Sequence, residues 1–301
     1  MVKLGIGITA VIVVGLVLGY FRVRRRRRFP AHGWLGFVAL AGAEWLLFHH
    51  VEPVATYFTP IAWSAYILIA DAATFAITGR SRLNDAPLSL ARMALLSIPL
   101  WLIFEAYNLR LDNWGYVGVP LPWAAATLGY GWSFATITPA IFETSDLVQA
   151  LLPRLPGKPL KISPRAENVL IAVGAACLLA PLVVPQRLAA YLFLPVWIGF
   201  ILLLDPLNKR LGLPSFLGDL SEGFRRRVYG FFLAGWICGW LWEFWNNWAA
   251  AKWHYIFPIA QRWKIFEMPA PGYLGFLPFA LECFVMYVTV AWLAGWLKRV
   301  R

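Results

Sequence analysis

Long apolar stretches alternate with short polar or aromatic stretches along the whole chain. A helix that crosses about 30 Å of hydrocarbon needs roughly 20 residues, because each residue advances the helix by about 1.5 Å. Nine stretches come close to this length, so the pattern predicts an all-α, polytopic membrane protein of about nine transmembrane helices. The predicted spans are Leu4–Tyr20, Gly33–His49, Tyr57–Ile77, Pro87–Asn108, Ala124–Leu151, Val169–Val184, Ala190–Asp205, Val228–Trp248 and Gly272–Leu297.

The composition agrees with a membrane environment. Apolar residues make up 60% of the 301 residues, whereas soluble domains contain about 45–50%. The mean hydropathy is +0.63, and the chain holds 17 Trp. No P-loop or GxSxG pattern occurs, so an ATP-driven or serine-hydrolase function has no support in the sequence.

Basic residues follow every second predicted span and set the expected orientation. No small-residue cleavage pattern follows the first span, so we expect a retained anchor. Its flank, Arg24–Arg28, should stay cytoplasmic. We therefore expect a multi-pass protein of the inner (plasma) membrane, with the N-terminus outside and the C-terminus, Lys298–Arg301, in the cytoplasm. All but six of the 27 Lys and Arg residues then lie on the inner side. The six are Lys3, Arg110, Arg187, Lys252, Arg262 and Lys264.

Most of the positive charge behind the net charge of +12 therefore lies in inner loops. We expect these loops to bind anionic lipids, and we do not expect the chain to bind nucleic acid. The predicted first span adds a candidate surface for a partner helix, Leu4–Tyr20. It carries Gly15 and Gly19, four residues apart, a spacing that allows helices to approach closely.

The chain also matches itself. A shift of 134 places lays Asp71 on Asp205 and Trp63 on Trp197, and a shift of 138 lays Glu105 on Glu243. Matches of polar residues in one order are hard to obtain from composition alone, so we predict a tandem duplication. The predicted domains are an anchor (1–30), a four-span repeat (31–152), a basic linker (153–166) and a second four-span repeat (167–301).

Acidic residues inside the predicted spans are the main candidates for chemistry. A carboxylate at the bilayer centre costs about 2.5–3.5 kcal/mol, so each one requires a partner, a proton or a function. Glu143 and Glu282 each lie four residues after a proline, at corresponding places in the two repeats. No Lys or Arg is expected at their depth, so we predict that they are neutral acids that can donate protons.

A second duplicated pair lies near the outer ends of two spans. Glu105 and Asn108 are three residues apart, as are Glu243 and Asn246, so each pair shares one helical face. The glutamates are expected to support catalysis and the asparagines to bind substrate. Alternatively, the pairs are hydrogen-bonded clamps between helices, worth roughly 1 kcal/mol each.

Aromatic residues are concentrated in the linkers that follow these pairs. Trp114 and Tyr116 correspond to Trp253 and Tyr255 in the second repeat. Trp and Tyr gather at membrane interfaces for amphipathic reasons alone. Aromatic rings also stabilise cations, so these four residues are candidates for binding a substrate that passes through a carbocation.

Metal and cofactor chemistry has little support. Cys177, Cys238 and Cys283 show no CxxC spacing, and His49 and His50 are not part of any HxxxH or ExxH pattern. We therefore expect no metal and no cofactor.

The order of these residues resembles the membrane lycopene cyclase domain family. Each repeat has an acid at the end of a span, then W-x-Y, then a proline followed by a glutamate: Glu105, Trp114-Gly-Tyr116 and Pro139 to Glu143 in the first. The resemblance implies that Glu143 and Glu282 protonate the end group of an acyclic carotenoid and later remove a proton, without net redox change. The chain differs in having one glutamate four places after each proline, where that family has acids two and three places after it.

Three hypotheses follow. The first is an intramembrane acid–base enzyme, of the intramolecular lyase or isomerase type, that acts on a lipid-soluble, isoprenoid or carotenoid substrate. The second is a proton- or cation-coupled transporter, because such a carrier also uses repeats and mid-membrane acids. The third is a non-catalytic membrane assembly protein that binds a partner through its first span.

Overall fold

The computed structural model describes residues 2–297 and is mostly helical within them. Lys298–Arg301, predicted to be a basic cytoplasmic end, lie outside the described residues. Nine helices in the described part have 18 residues or more. They are α1 (Val2–Arg22), α2 (Ala31–Phe48), α3 (Phe58–Thr78), α5 (Pro87–Leu111), α6 (Trp123–Leu151), α7 (Pro164–Val183), α9 (Phe193–Arg210), α11 (Arg226–Trp248) and α12 (Phe276–Leu293).

Short elements connect the long helices. Three helices of at most six residues are α4 (Arg82–Asp85), α8 (Gln186–Ala189) and α10 (Phe216–Ser221). The strands are β1 (Trp114–Val117), β2 (Lys252–Tyr255), β3 (Lys264–Ile265) and β4 (Met268–Pro269). A 3-10 helix, Ala270–Gly275, leads directly into α12.

Six of the helical segments in the described part are long and apolar enough to cross a membrane: α1, α2, α3, α5, α7 and Ala270–Leu293, which comprises the 3-10 helix and α12. This agrees with the prediction of a helical membrane protein. The other three long helices are more polar. For example, α6 contains Glu143 and Asp146, and α9 ends at Lys209 and Arg210. The helices α6 and α11 pack against each other inside the bundle, where a helix does not have to present an apolar surface to lipid.

Corresponding helices in the two halves have corresponding neighbours. In the first half α2 packs on α3, and both α3 and α5 pack on α6. In the second half α7 packs on α9, and both α9 and α11 pack on α12. Contacts of α6 with α11 and of α5 with α12 join the halves, so one apolar core extends through both.

Asp71 and Asp205 fix the turn after α3 and after α9 in the same way. Asp71 accepts hydrogen bonds from Ser81 Oγ and from the backbone N–H of Leu83, both at 2.8 Å. Asp205 accepts from the backbone N–H groups of Phe216 (2.7 Å) and Leu217 (2.8 Å). Each carboxylate satisfies free N–H groups at the start of a short helix, α4 or α10.

An antiparallel ribbon joins the halves and corrects the prediction of a purely helical fold. Strands β1 and β2 pair with Trp114 opposite Tyr255 and Tyr116 opposite Trp253. The antiparallel pairing satisfies backbone N–H and C=O groups of both aromatic linkers.

Helix α1 packs on α11 and on β3. A Cβ at Gly5 would collide with the ring of Phe266, and one at Gly19 would touch Leu151, whereas one at Gly15 would meet nothing within 4 Å. Only one of the two glycines predicted to form a packing face therefore contacts the described part of the chain. Several side chains of α1 remain exposed, including Val11 and Leu18.

Candidate functional site

Glu105 and Asn108, one turn apart at the end of α5, hold the strand that follows. Asn108 donates from Nδ2 to the carbonyl of Trp114 (2.8 Å) and accepts from the backbone N–H of Asn113 (2.8 Å). Glu105 Oε1 accepts from Trp101 Nε1 at 2.8 Å, Trp114 Nε1 at 3.2 Å and the Tyr116 hydroxyl at 2.5 Å.

The second half repeats this arrangement at the end of α11. Asn246 donates from Nδ2 to the carbonyl of Trp253 (2.9 Å) and accepts from the backbone N–H of the same residue (3.0 Å). Glu243 Oε1 accepts from the Tyr255 hydroxyl at 2.8 Å and from Trp253 Nε1 at 3.3 Å. The asparagines, predicted to bind substrate, thus bind the backbone of the following strand segment. The alternative prediction was a clamp between two helices, whereas each asparagine joins its helix to the strand that follows it.

Burial raises the pKa of the Tyr116 and Tyr255 hydroxyls, and the nearby carboxylates of Glu105 and Glu243 raise it further. Both phenols therefore keep their protons near neutral pH. A protonated phenol can donate to a carboxyl oxygen, as both hydroxyls do to Oε1 of their glutamate.

The two glutamates differ in one donor. The residue that corresponds to Trp101 under the 138-place shift is Gly239, which offers no side chain to Glu243. A Cβ at Gly239 would lie 2.3 Å from the ring of Phe276, so that ring occupies the space. Glu243 Oε2 is buried and has no hydrogen-bond partner among residues 2–297.

A cavity with mostly apolar walls and an open mouth lies beneath the ribbon, between helices of both halves. Its volume is about 1110 Å³, counting the space at its mouth. Glu243 borders the cavity, and Glu105, Asn108 and Asn246 are not among the residues that line it. Aromatic rings form most of the wall, including Trp63, Trp101, Trp114, Tyr116, Trp253 and Tyr255.

The structure therefore brings five of the predicted residues together: Glu243 and the aromatic pairs of both strands line one cavity. Glu105 does not line the cavity. It accepts hydrogen bonds from the side chains of Trp101, Trp114 and Tyr116, which do line it. The carboxyl group that faces the cavity is thus one that was expected only to support catalysis.

Glu143 lies elsewhere, near the opposite ends of the helices, and has a basic neighbour. Arg82 Nε lies 2.8 Å from Asp146 Oδ2 and 4.0 Å from Glu143 Oε1. The prediction that no Lys or Arg reaches this depth is wrong, because a long arginine side chain can extend from the inner loop along apolar surface to a buried acid. Glu143 itself is fully buried and does not line the aromatic cavity.

Glu282 is also fully buried, and neither of its carboxyl oxygens has a hydrogen-bond partner among the described residues. Its neighbour in sequence, Cys283, borders a separate small space of about 230 Å³. Neither Glu282 nor Glu143 therefore reaches the cavity, and the two are not part of one site with the ribbon.

Sequence reasoning missed part of the cavity wall. Thr59 and Trp63 lie one turn apart on α3 and face the cavity, and Trp242 precedes Glu243 on α11. The duplication identified Trp63 only as a repeated position. The spacing of Thr59 and Trp63 places them on one helical face, but nothing in the sequence indicates which face borders a cavity.

The structure gives other roles to the remaining polar candidates. His49 Nδ1 lies 2.7 Å from the carbonyl oxygen of Trp45, and its ring stacks on that of Trp45. No group of three or more His, Cys, Asp or Glu within residues 2–297 is arranged to hold a metal ion.

Comparison with known proteins adds no relative. No protein-family model, no curated protein sequence and no solved structure matches the chain significantly. The function therefore has to be argued from the cavity and from the residues around it.

Proposed function

We propose that the chain is an intramembrane acid–base enzyme that isomerises a lipid-soluble, unsaturated substrate of the isoprenoid class, with Glu243 as the proton-transferring group. The observation that supports this most is the position of Glu243 Oε2, a buried carboxyl oxygen without a hydrogen-bond partner in the described chain, at a large aromatic cavity. Apolar walls with a few placed polar groups are typical of sites for small lipophilic molecules.

The surrounding hydrogen bonds assign roles to the other residues. Tyr255 and Trp253 hold Oε1 of Glu243, so Oε2 is the oxygen that is left for a substrate. Asn246 fixes the strand that carries both rings. Glu105, through Trp101, Trp114 and Tyr116, positions the opposite wall, and we assign it a positioning role.

The reaction that fits this arrangement leaves the mass of the substrate unchanged. The Glu243 carboxyl adds its proton to one carbon of a double bond, and the aromatic wall stabilises the resulting carbocation. The carboxylate then removes a proton from a neighbouring carbon, which restores both the acid and a double bond. Carotenoid cyclisation, as in the membrane lycopene cyclase domain that the sequence resembles, is one reaction of this kind.

Expression in a bacterial host that accumulates acyclic carotenoids, followed by liquid chromatography and mass spectrometry of the lipids, tests this proposal. We expect a new isomer of unchanged mass with the wild-type protein. The Glu243→Gln variant should lower its amount by about 100-fold or more, which is the usual contribution of a general acid or base. A Glu143→Gln/Glu282→Gln variant that accumulates equally should retain it. Loss of product in that variant, with product retained in Glu243→Gln, would overturn the assignment.

The membrane arrangement is part of the same proposal. We propose that all nine long helices span the membrane, with the N-terminus outside, and that the two halves are tandem repeats related by a pseudo-twofold axis through the β1–β2 ribbon. Support comes from the equivalent helix contacts, the equivalent carboxylates Asp71 and Asp205, and the register in which each Trp faces the other half's Tyr.

A proton- or cation-coupled transporter is a second candidate, because a second crevice opens at the other end of the bundle. Arg80, Arg82, Asp146 and Arg226 line it, and Glu143 lies beside it. Uptake of protons into liposomes that contain the purified protein would favour this function if Glu143→Gln abolished it. Absence of such uptake, together with isomer formation by the same preparation, would exclude it.

A further inference from the structure

Two residues that line the aromatic cavity, Thr59 and Trp63, carry polar atoms that the proposed function leaves without a role. Thr59 Oγ1 and Trp63 Nε1 are buried and have no hydrogen-bond partner within residues 2–297. The two residues are 8% and 1% exposed, so bulk water does not reach them freely. Buried polar groups are nearly always hydrogen-bonded, so two such groups at one cavity indicate that its ligand supplies a partner.

The chemistry of these atoms limits what that partner is. An indole N–H can only donate a hydrogen bond, and a threonine hydroxyl can donate or accept. A pure hydrocarbon offers no acceptor to either group. A single oxygen with two lone pairs, such as that of a ketone or an aldehyde, can accept from both.

The fold places the two donors on the same cavity as Glu243. Thr59 and Trp63 are one turn apart on α3 and therefore share a face. The ring of Trp63 lies 4.9 Å from that of Trp242, which directly precedes Glu243 on α11. In the other half, Phe193 stands where Thr59 would be under the 134-place shift, so the hydroxyl belongs to this half alone.

We propose that the substrate of this cavity is a lipid-soluble carbonyl compound whose oxygen accepts hydrogen bonds from Trp63 and Thr59 while an adjacent carbon faces Glu243. This inference rests on the proposed acid–base function and narrows its substrate class from isoprenoids in general to unsaturated isoprenoid ketones or aldehydes. With such a substrate Glu243 acts first as the base and then as the acid, which reverses the order given above for an isolated double bond.

The step is balanced without any co-reactant. Glu243, as the carboxylate, removes a proton from the carbon beside the carbonyl, and the electron pair of that C–H bond forms a C=C bond. The carbonyl π electrons move to the oxygen, where the two donors stabilise the enolate. When the C=O bond re-forms, the conjugated double bond shifts and its far carbon takes the proton back from Glu243. The product is an isomer, and nothing is oxidised or reduced.

A matched pair of probes tests the carbonyl requirement. Geranylacetone is an isoprenoid ketone, and its partner is the hydrocarbon in which a CH2 group replaces the carbonyl. Equilibrium binding of the radiolabelled probes to the full chain in lipid nanodiscs is measured, and uptake by empty nanodiscs is subtracted. We expect the wild-type protein to bind the ketone about tenfold more tightly, as one good hydrogen bond to a buried donor provides.

Variants then show whether the two donors cause the preference. Trp63→Phe and Thr59→Val, singly and together, should reduce it, and the double variant should bind both probes within about twofold of each other. The readout is the ratio of the two affinities within each variant, so that a change in cavity shape that affects both probes equally does not alter it. Trp197→Phe alters another ring of the same cavity and should keep the tenfold preference.

Equal binding of both probes by the wild type, or an unchanged preference in the double variant, would overturn the carbonyl proposal. If isomer formation that depends on Glu243 persisted in that case, the acid–base function would stand without it. Absence of saturable binding of either probe would also overturn the carbonyl proposal, and the acid–base function would then be decided by Glu243-dependent isomer formation alone.

Discussion

Glu105 and Glu243 occupy corresponding positions in the two halves, and each accepts hydrogen bonds from a Trp and a Tyr of its own strand. Glu105 receives a third donor from Trp101 and does not line the cavity. Glu243 has Gly239 in place of that tryptophan, is fully buried and lines the cavity, and its Oε2 has no hydrogen-bond partner among residues 2–297. The Trp at one position and the Gly at the other thus account for the third hydrogen bond that Glu105 accepts and Glu243 lacks.

Glu143 and Glu282 form a second unequal pair. Glu143 lies next to the Arg82–Asp146 ion pair, whereas Phe216 and Val285 replace those two residues in the second half. The two halves thus share their helix contacts and strand clamps, while the surroundings of their buried acids differ. The comparison teaches that a repeated residue marks a repeated structural position and does not by itself mark a repeated role.

The largest effect should come from removing the two ribbon carboxylates one at a time. Glu105→Ala leaves three donors without an acceptor and should lower the free energy of unfolding by about 2–4 kcal/mol. Glu243→Ala should cost at most about 2 kcal/mol, because Trp253 can still donate to the Tyr255 hydroxyl at 3.1 Å. Denaturant unfolding of the purified variants in detergent measures both, and a larger loss for Glu243→Ala would contradict the comparison.

A similar loss is expected where Arg82 is removed. Arg82→Gln leaves Asp146 and Glu143 without a cation and should destabilise the chain by about 1–3 kcal/mol, since the arginine is partly exposed. Arg80→Gln is the matched control, because Arg80 makes no ion pair within the described chain and should change stability little. An Arg82→Gln/Asp146→Asn double variant should recover part of the loss, and strictly additive effects in this cycle would show that the pair is not coupled.

A smaller effect is expected from Gly239→Ala, which tests the origin of the asymmetry. The new methyl group would meet the ring of Phe276, so overpacking should cost about 1–3 kcal/mol and narrow the cavity. Gly42→Ala, on a helix where a Cβ meets nothing within 4 Å, should be neutral or slightly stabilising. Thermal unfolding of both variants checks this, and equal midpoints would mean that Gly239 is not needed for packing.

The sequence predicted the positions of the long helices well, because each predicted apolar stretch overlaps one of them. It also identified Glu243 and the four strand aromatics, since duplicated polar residues stand out from an apolar background. It could not show that Asn108 and Asn246 bind backbone, because that depends on where the next strand lies. The ion pair of Arg82 and the donors Thr59 and Trp63 depend on contacts between distant segments, which helical periodicity does not specify.

The central claim is that Glu243 is the carboxyl group that meets the substrate. Photo-crosslinking with an isoprenoid ketone that carries a diazirine, followed by peptide mapping by mass spectrometry, tests it most directly. We expect labelling of Glu243 that an excess of unlabelled ketone suppresses, while label on exposed residues such as Leu109 persists. Suppressible labelling at Glu143 or Glu282, with none at Glu243, would contradict it.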